Sequence, residues 1–83
     1  MDYVFKPSAF KQLKNLPKDI QKRIITKLDF YCLQESPLKF AEPLTDIRIG
    51  SYRFRIGDWR VIFDVEDEKI VVLLVGYRRD IYR

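Results

Sequence analysis

Apolar residues recur along this chain with two different periods, and the period changes between residues 34 and 47. Ile20, Ile24, Leu28 and Tyr31 follow one another at steps of four, four and three, the stripe of an amphipathic helix predicted over residues 17–34. A shorter helix is predicted over residues 7–16, where Pro7 suits the first turn and Pro17 ends the run, with Phe10 and Leu13 facing inward. Ahead of it, "DYVFK" reads as a short strand. "ESPLKFAEPLTD" holds two prolines and reads as a crossing loop. From Ile47 onward the period is two, and three strands are predicted, over residues 48–56, 59–66 and 70–77, joined by "GD" and "EDEK". The implied fold class is α+β in the order β-α-α-β-β-β, with two N-terminal helices packed on one face of a small antiparallel sheet. At 83 residues the chain is read as one domain, residues 1–83, near the lower end of what a single core can hold together.

The segment "YRFRIGDWRV" carries three arginines among large apolar residues. A Gly-X pair between strands reads as a type II′ turn, so Gly57 and Asp58 set Ile56 opposite Trp59. Arg55 then faces Arg60 and Arg53 faces Ile62 on one side, while Tyr52, Phe54, Ile56, Trp59, Val61 and Phe63 line the other. One face becomes core under the helices; its reverse becomes an arginine surface. Like charges directly across a hairpin repel, and Ile62 is no counter-ion, so the missing partner is read as an anion such as phosphate. The second hairpin admits two readings. A two-residue turn pairs Arg60 with Val75 and leaves Arg78 on the core side. A three-residue turn, or a bulge near Gly76, pairs Arg60 with Gly76 and brings Arg78 onto the arginine face, which avoids burying an unpaired cation. "IVVLLV", residues 70–75, is apolar without alternation and is expected to be the central strand, its second face covered by the C-terminal tail or by a partner protein.

Charge sharpens the picture. The net charge of +4 suggests a polyanionic or acidic partner, and its distribution says where. Seven of the eight arginines lie at or beyond Arg48, including Arg79 and Arg83, whereas seven of the eight lysines lie at or before Lys39. Lysine is a hydrated point charge that solvates a helix face; arginine is a planar fork that grips phosphate with two prongs. The C-terminal half therefore reads as the site. No histidine and one cysteine, Cys32, exclude histidine-based catalysis, a His-ligated metal and an internal disulfide, and neither metal nor cofactor is expected. Asp64, Glu66, Asp67 and Glu68 read as a solvated turn. "MDYVFK" lacks the apolar core of a signal peptide and no apolar run approaches membrane-spanning length, so a soluble cytoplasmic protein without membrane association is expected.

The helix pair, "YRFRIGDWRVIFDV" and the closing "VGYRRDIY" together resemble the RelE/ParE superfamily, the toxins of bacterial and archaeal type II toxin-antitoxin pairs, over essentially the whole length. The resemblance implies a RelE-like microbial ribonuclease-type fold and, on the RelE-like branch, a metal-independent endoribonuclease that cuts mRNA in the ribosomal A site and so inhibits translation. The ParE-like branch instead poisons DNA gyrase, and a noncatalytic ribosome- or RNA-binding module is a further alternative. A cognate antitoxin is implied as partner, with operator DNA bound through the antitoxin complex, besides the ribosome and mRNA. Matched by position, Arg53 and Arg55 correspond to the basic pair on the first hairpin strand and Arg60 to the arginine opening the next. Arg78 corresponds to the arginine after the last-strand glycine, and Tyr82 to a C-terminal tyrosine that stacks on a base. The best-known members carry lysine where Arg53 and Arg55 stand. Arginine does not release its proton in proteins, which leaves the general base open between Tyr82, a ribosomal group and water.

Overall fold

The computed structural model describes residues 1–82; Arg83 lies outside the described residues. Strand β1 (Asp2–Phe5) leads into helices α1 (Pro7–Lys14) and α2 (Lys18–Leu33), a 3-10 turn (Pro37–Phe40), and strands β2 (Glu42–Pro43), β3 (Tyr52–Ile56), β4 (Trp59–Glu66) and β5 (Lys69–Tyr77). The α+β class and the helix pair are as expected, with three differences in the sheet. Its order is β1-β5-β4-β3-β2, so β4 and not β5 is central, and β1 runs parallel to β5. The sheet is therefore mixed rather than antiparallel. The chain passes from β1 through both helices and three strands before returning beside it, and that long crossover permits the parallel pair. The crossing loop also contains β2, which pairs Glu42 with Arg53 and Pro43 with Tyr52.

Pro17 separates the helices as expected, and its carbonyl accepts the first α2 amides from Ile20 and Gln21. On α1 the buried residues are Ala9 and Leu13, whereas Phe10 is 52% exposed. The inner stripe runs one position earlier than its apolar spacing suggested, and Phe10 packs edge-on against Phe5 at the rim, with centroids 6.3 Å apart. Ile24, Leu28 and Tyr31 of α2 are buried against Phe54, Ile56, Val61 and Phe63 in one cluster. Five rings form a continuous stacked column through it, in the order Phe40, Tyr31, Phe54, Phe63 and Tyr52, with successive centroids 5.1, 4.4, 4.5 and 5.5 Å apart.

The β3–β4 hairpin has the expected register, Ile56 opposite Trp59, Arg55 opposite Arg60 and Arg53 opposite Ile62. Gly57, at φ 61°, begins its turn in the left-handed region, where glycine lacks the Cβ penalty. The second hairpin turns over two residues, Asp67 and Glu68, both with positive φ, and sets Glu66 opposite Lys69. The three-residue turn is thus not formed. A register shift between Ile62 and Phe63 leaves Leu73 as the extra residue and pairs Arg60 with Gly76. The bulge has the anticipated effect but sits three positions before Gly76.

The second sheet face is covered by the chain itself. Gly50, at φ 152°, lies so close over Ile62 that a Cβ there would fall 2.5 Å from the isoleucine Cγ2. The Ser51 amide and hydroxyl both donate to the Asp64 carboxylate at 2.8 Å, fastening the loop to β4. From the tail, Ile81 packs over Gly76. Ile62 is fully buried as a result.

Arg60 is only 5% exposed. Its Nη1 donates to the carbonyls of Gly57 at 2.8 Å and Trp59 at 2.9 Å, tying the guanidinium to the turn. Among the described residues no buried side-chain nitrogen or oxygen lacks a partner, so the remaining Nε–Nη2 edge of the fork reaches the surface. Removing the side chain would leave turn carbonyls unsatisfied and a void, so Arg60→Ala is expected to lower unfolding free energy by roughly 2–3 kcal/mol. Arg55→Ala should stay within about 0.5 kcal/mol. Urea denaturation of both variants checks this, and equal midpoints would refute a structural role for Arg60.

At the opposite end, the Tyr3 hydroxyl donates to the Asp29 carboxylate at 2.6 Å. Burial first, and then the bond to Asp29 and its charge, push the hydroxyl up to about 12 from its ordinary value near 10. A pKa raised on folding contributes stability that is complete below about pH 10 and is lost as pH rises through about 12. Between those values the wild-type urea midpoint should fall more steeply than that of Tyr3→Phe; parallel curves would show that the bond contributes nothing.

Candidate active site

Alternation along β3 places Arg53 and Arg55 on the face away from the helices. The neighbouring β2 edge brings Glu42 opposite Arg53. One Glu42 carboxylate oxygen lies 3.3 Å from Arg53 Nε and 3.7 Å from Arg55 Nε, so a single carboxylate bridges the two arginines. Pairing at the ends of flexible, partly solvated side chains is worth little by itself; its consequence is that both guanidinium forks are aimed at one spot.

Tyr82 closes the third side. Its hydroxyl accepts a 2.7 Å hydrogen bond from Arg53 Nη1, and its ring lies 5.7 Å from the guanidinium carbon, within range of a cation–π contact. The Arg53 guanidinium holds its proton more firmly than an ordinary arginine, chiefly through the Tyr82 hydroxyl, with burial opposing and Glu42 adding to the effect. Arg55 is more than half exposed at its side chain and Tyr82 is 45% exposed. Both are open to a ligand.

The other sequence-derived candidates are arranged differently. Arg60 stands across the hairpin from Arg55, but its guanidinium is buried and anchored on the Gly57–Asp58 turn, with one edge at the surface. Arg78 follows β5; its amide donates to the Asp58 carbonyl at 2.8 Å and its Nε lies 3.6 Å from the Asp58 carboxylate. Asp58 therefore fixes Arg78 at the turn, half exposed. Trp59 packs edge-on to Tyr77 at 5.3 Å, on the core side. Arg48 pairs at 2.9 Å with its near neighbour Asp46, and that bond holds the Asp46 carboxyl below the usual carboxylate range. Arg79 is exposed. No group of three or more His, Cys, Asp or Glu among the described residues is placed to hold a metal ion.

Glu42 is the residue that sequence reasoning missed. It stands in a proline-flanked stretch read as a loop, and a two-residue strand leaves no periodicity to detect. The available signal was indirect, since paired arginines beside Ile62 required an anion and a further strand beside β3 was the place to find one. Chemically, the cluster combines cationic forks that neutralise an oxyanion, an aromatic face, and a carboxylate that can accept a proton.

The architecture and the sequence agree in their relatives. Residues 3–82 match the family model described as the ParE toxin of the type II toxin-antitoxin system parDE. The curated toxin RelG of Mycobacterium tuberculosis is 32% identical over 81 residues, covering 95% of this chain and 92% of that protein. Among solved structures, the RelBE2 toxin-antitoxin complex of M. tuberculosis superposes with a TM-score of 0.77 at 28% identity, covering 93% of this chain and 96% of that one. The YoeB-YefM complex of Staphylococcus aureus gives 0.71 at 25% identity, covering 93% and 95%. The archaeal RelE-RelB complex of Pyrococcus horikoshii gives 0.67 at 28% identity, covering 95% and 96%. The chain belongs to the ParE toxin family of type II toxin-antitoxin systems, within the RelE/ParE superfamily and with a RelE-like fold.

Proposed function

We propose that this toxin is a ribosome-dependent endoribonuclease that cuts mRNA in the ribosomal A site and so arrests translation in the cytoplasm. The observation that carries the reading is the convergence of Arg53 and Arg55 on the Glu42 carboxylate, with the Tyr82 hydroxyl bonded to Arg53 beside them. In the reaction the ribose 2′-oxygen attacks the adjacent phosphorus, the bond to the 5′-oxygen breaks, and the products are a 2′,3′-cyclic phosphate and a free 5′-hydroxyl. The 2′-hydroxyl proton needs an acceptor, which arginine cannot be. Glu42 takes that role, and the proton released to it is balanced by one gained at the leaving 5′-oxygen from solvent. Arg53 and Arg55 hold the scissile phosphate and stabilise the charge that grows on its oxygens. Arg78 and the free edge of Arg60 extend the cationic surface along the hairpin, while Tyr82 stacks on a base. The chemistry calls for no metal or cofactor because the guanidinium groups supply the positive charge. Positioning by the ribosome contributes the alignment, which in favourable cases amounts to about 7–11 kcal/mol of barrier.

The structural relatives are toxin-antitoxin complexes, which supports a cognate antitoxin that neutralises this chain and binds operator DNA together with it. The family model's ParE name supports a second reading, inhibition of DNA gyrase through a protein surface. Incubation with ribosomes stalled on a defined mRNA, followed by primer extension, separates the two. A cut within the A-site codon is expected, weakened about a hundredfold or more in Arg53→Ala and in Glu42→Gln, both of which should retain wild-type thermal stability. Intact mRNA from folded protein, with inhibition of gyrase supercoiling, would transfer the assignment to the second reading.

A further inference from the structure

The sheet ends at β2 beside the arginine cluster and, on its other side, at β1, which pairs only with β5 among the described residues. The Lys6 amide donates to the Val72 carbonyl at 2.9 Å. Because backbone groups alternate in direction along a strand, Asp2, Val4 and Lys6 turn theirs toward β5, and Tyr3 and Phe5 turn theirs toward the open edge. The Tyr3 and Phe5 side chains pack on the core, so Val4 points away from the helices. Val4 is exposed, as are Phe10, which packs on Phe5, and Leu33, which shares a cleft with Val4. We propose that this edge pairs with β1 of a second copy of the chain, antiparallel about a two-fold axis at Val4, so that one sheet runs through the dimer.

The register follows from hydrogen bonding and charge. Centred on Val4, the pairing sets Tyr3 of each copy opposite Phe5 of the other, and each such pair exchanges both of its N–H···O bonds. Val4 meets its counterpart and Asp2 meets Lys6 at non-hydrogen-bonded positions, where side chains approach most closely. Asp2 already neighbours Lys69 in its own chain, and its carboxylate has acceptor sites for both ammonium groups. An axis at Tyr3 would instead set Asp2 against Val4, and an axis at Phe5 would set Tyr3 against Pro7, which has no N–H. Short edge strands with charged residues usually resist pairing. Here the charges are opposite in sign and lie symmetrically about Val4, so the edge is complementary to itself and selects its own copy over an unrelated strand. The arginine cluster lies at the other edge of each sheet and stays open, so the inference is independent of the nuclease reading.

Sedimentation equilibrium of the purified full chain tests the pairing, with far-UV circular dichroism to check the fold of each variant. The wild type should show a reversible equilibrium between monomer and dimer. Lys6→Asp sets carboxylates against each other across the interface, and Asp2→Lys sets ammonium groups against each other. Each should weaken dimerisation about tenfold or more, because attraction becomes repulsion at both symmetry-related sites. An equimolar mixture of the two variants restores opposite charges at both sites and should dimerise as the wild type does. Val4→Arg, which brings guanidinium groups together on the axis at an exposed position, should be monomeric, and it keeps the test decisive if a charge variant fails to fold. The pairing is overturned by a wild type that stays monomeric up to about 1 mM, by a dimer that all three substitutions leave unchanged, or by two folded charge variants whose mixture stays monomeric.

Discussion

Because side chains alternate across a strand, the pairing of Arg55 with Arg60 decides at once which residues of β3 and β4 meet the helices and which meet the opposite face. A slip of one residue would carry Arg53 and Arg55 under α2 and turn Phe54 and Phe63 outward. The loss would include the stacked column, in which each aromatic pair contributes about 0.5–1.5 kcal/mol beyond its buried area, and would add the desolvation of guanidinium groups among apolar neighbours. Three local features hold the register. Gly57 takes the left-handed conformation that begins the turn, Arg60 gathers the turn carbonyls, and Phe54 is stacked between Tyr31 and Phe63. The arginine surface is thus a by-product of the same pairing that builds the core.

This dependence explains what could be read directly from the amino-acid order. The helix pair, the first hairpin, its register and the arginine face all follow from periodicity and one Gly-X turn, because each is a local pattern repeated over several residues. What could not be read is non-local or too short to repeat. The parallel β1–β5 pair joins residues nearly seventy positions apart. β2 is only two residues long. The bulge at Leu73 arises where β5 must satisfy the turn at Asp67–Glu68 and the Arg60–Gly76 pairing together, and neither demand is visible without the other. Arg60 was legible as an arginine on the outer face but not as a buried one, since its bonds to the Gly57 and Trp59 carbonyls leave no mark in the periodicity.

Arg60 also shows why uniform chemistry within a cluster need not mean uniform roles. Arg53 and Arg55 are held by a carboxylate across a strand edge, where a phosphate that competes for the same forks exchanges one anion for another. Arg60 is held by neutral carbonyls in a closed layer, where its departure would leave those acceptors without partners. The first arrangement favours ligand exchange, and the second favours permanence. The all-arginine hairpin is consistent with this division, because a guanidinium can use one edge for structure and keep the other for an anion.

Glu42 occupies the position where these two demands meet. The β2 edge is as short as a strand can be and ends at Pro43, whose missing N–H cannot continue a ladder, so the sheet is discouraged from growing past the site. Yet the pairing of Glu42 with Arg53 sets the carboxylate at a defined height beside β3, on an element whose position is fixed by the hairpin register. Geometry that can be held within about 0.5 Å is thereby assigned to strands, whereas the neighbouring groove is built by the loop at residues 44–49 and the tail at Ile81 and Tyr82. Loops tolerate changes in sequence that strands in a packed sheet do not. Such a division lets the groove lining change without disturbing the register that places Glu42, Arg53 and Arg55 together.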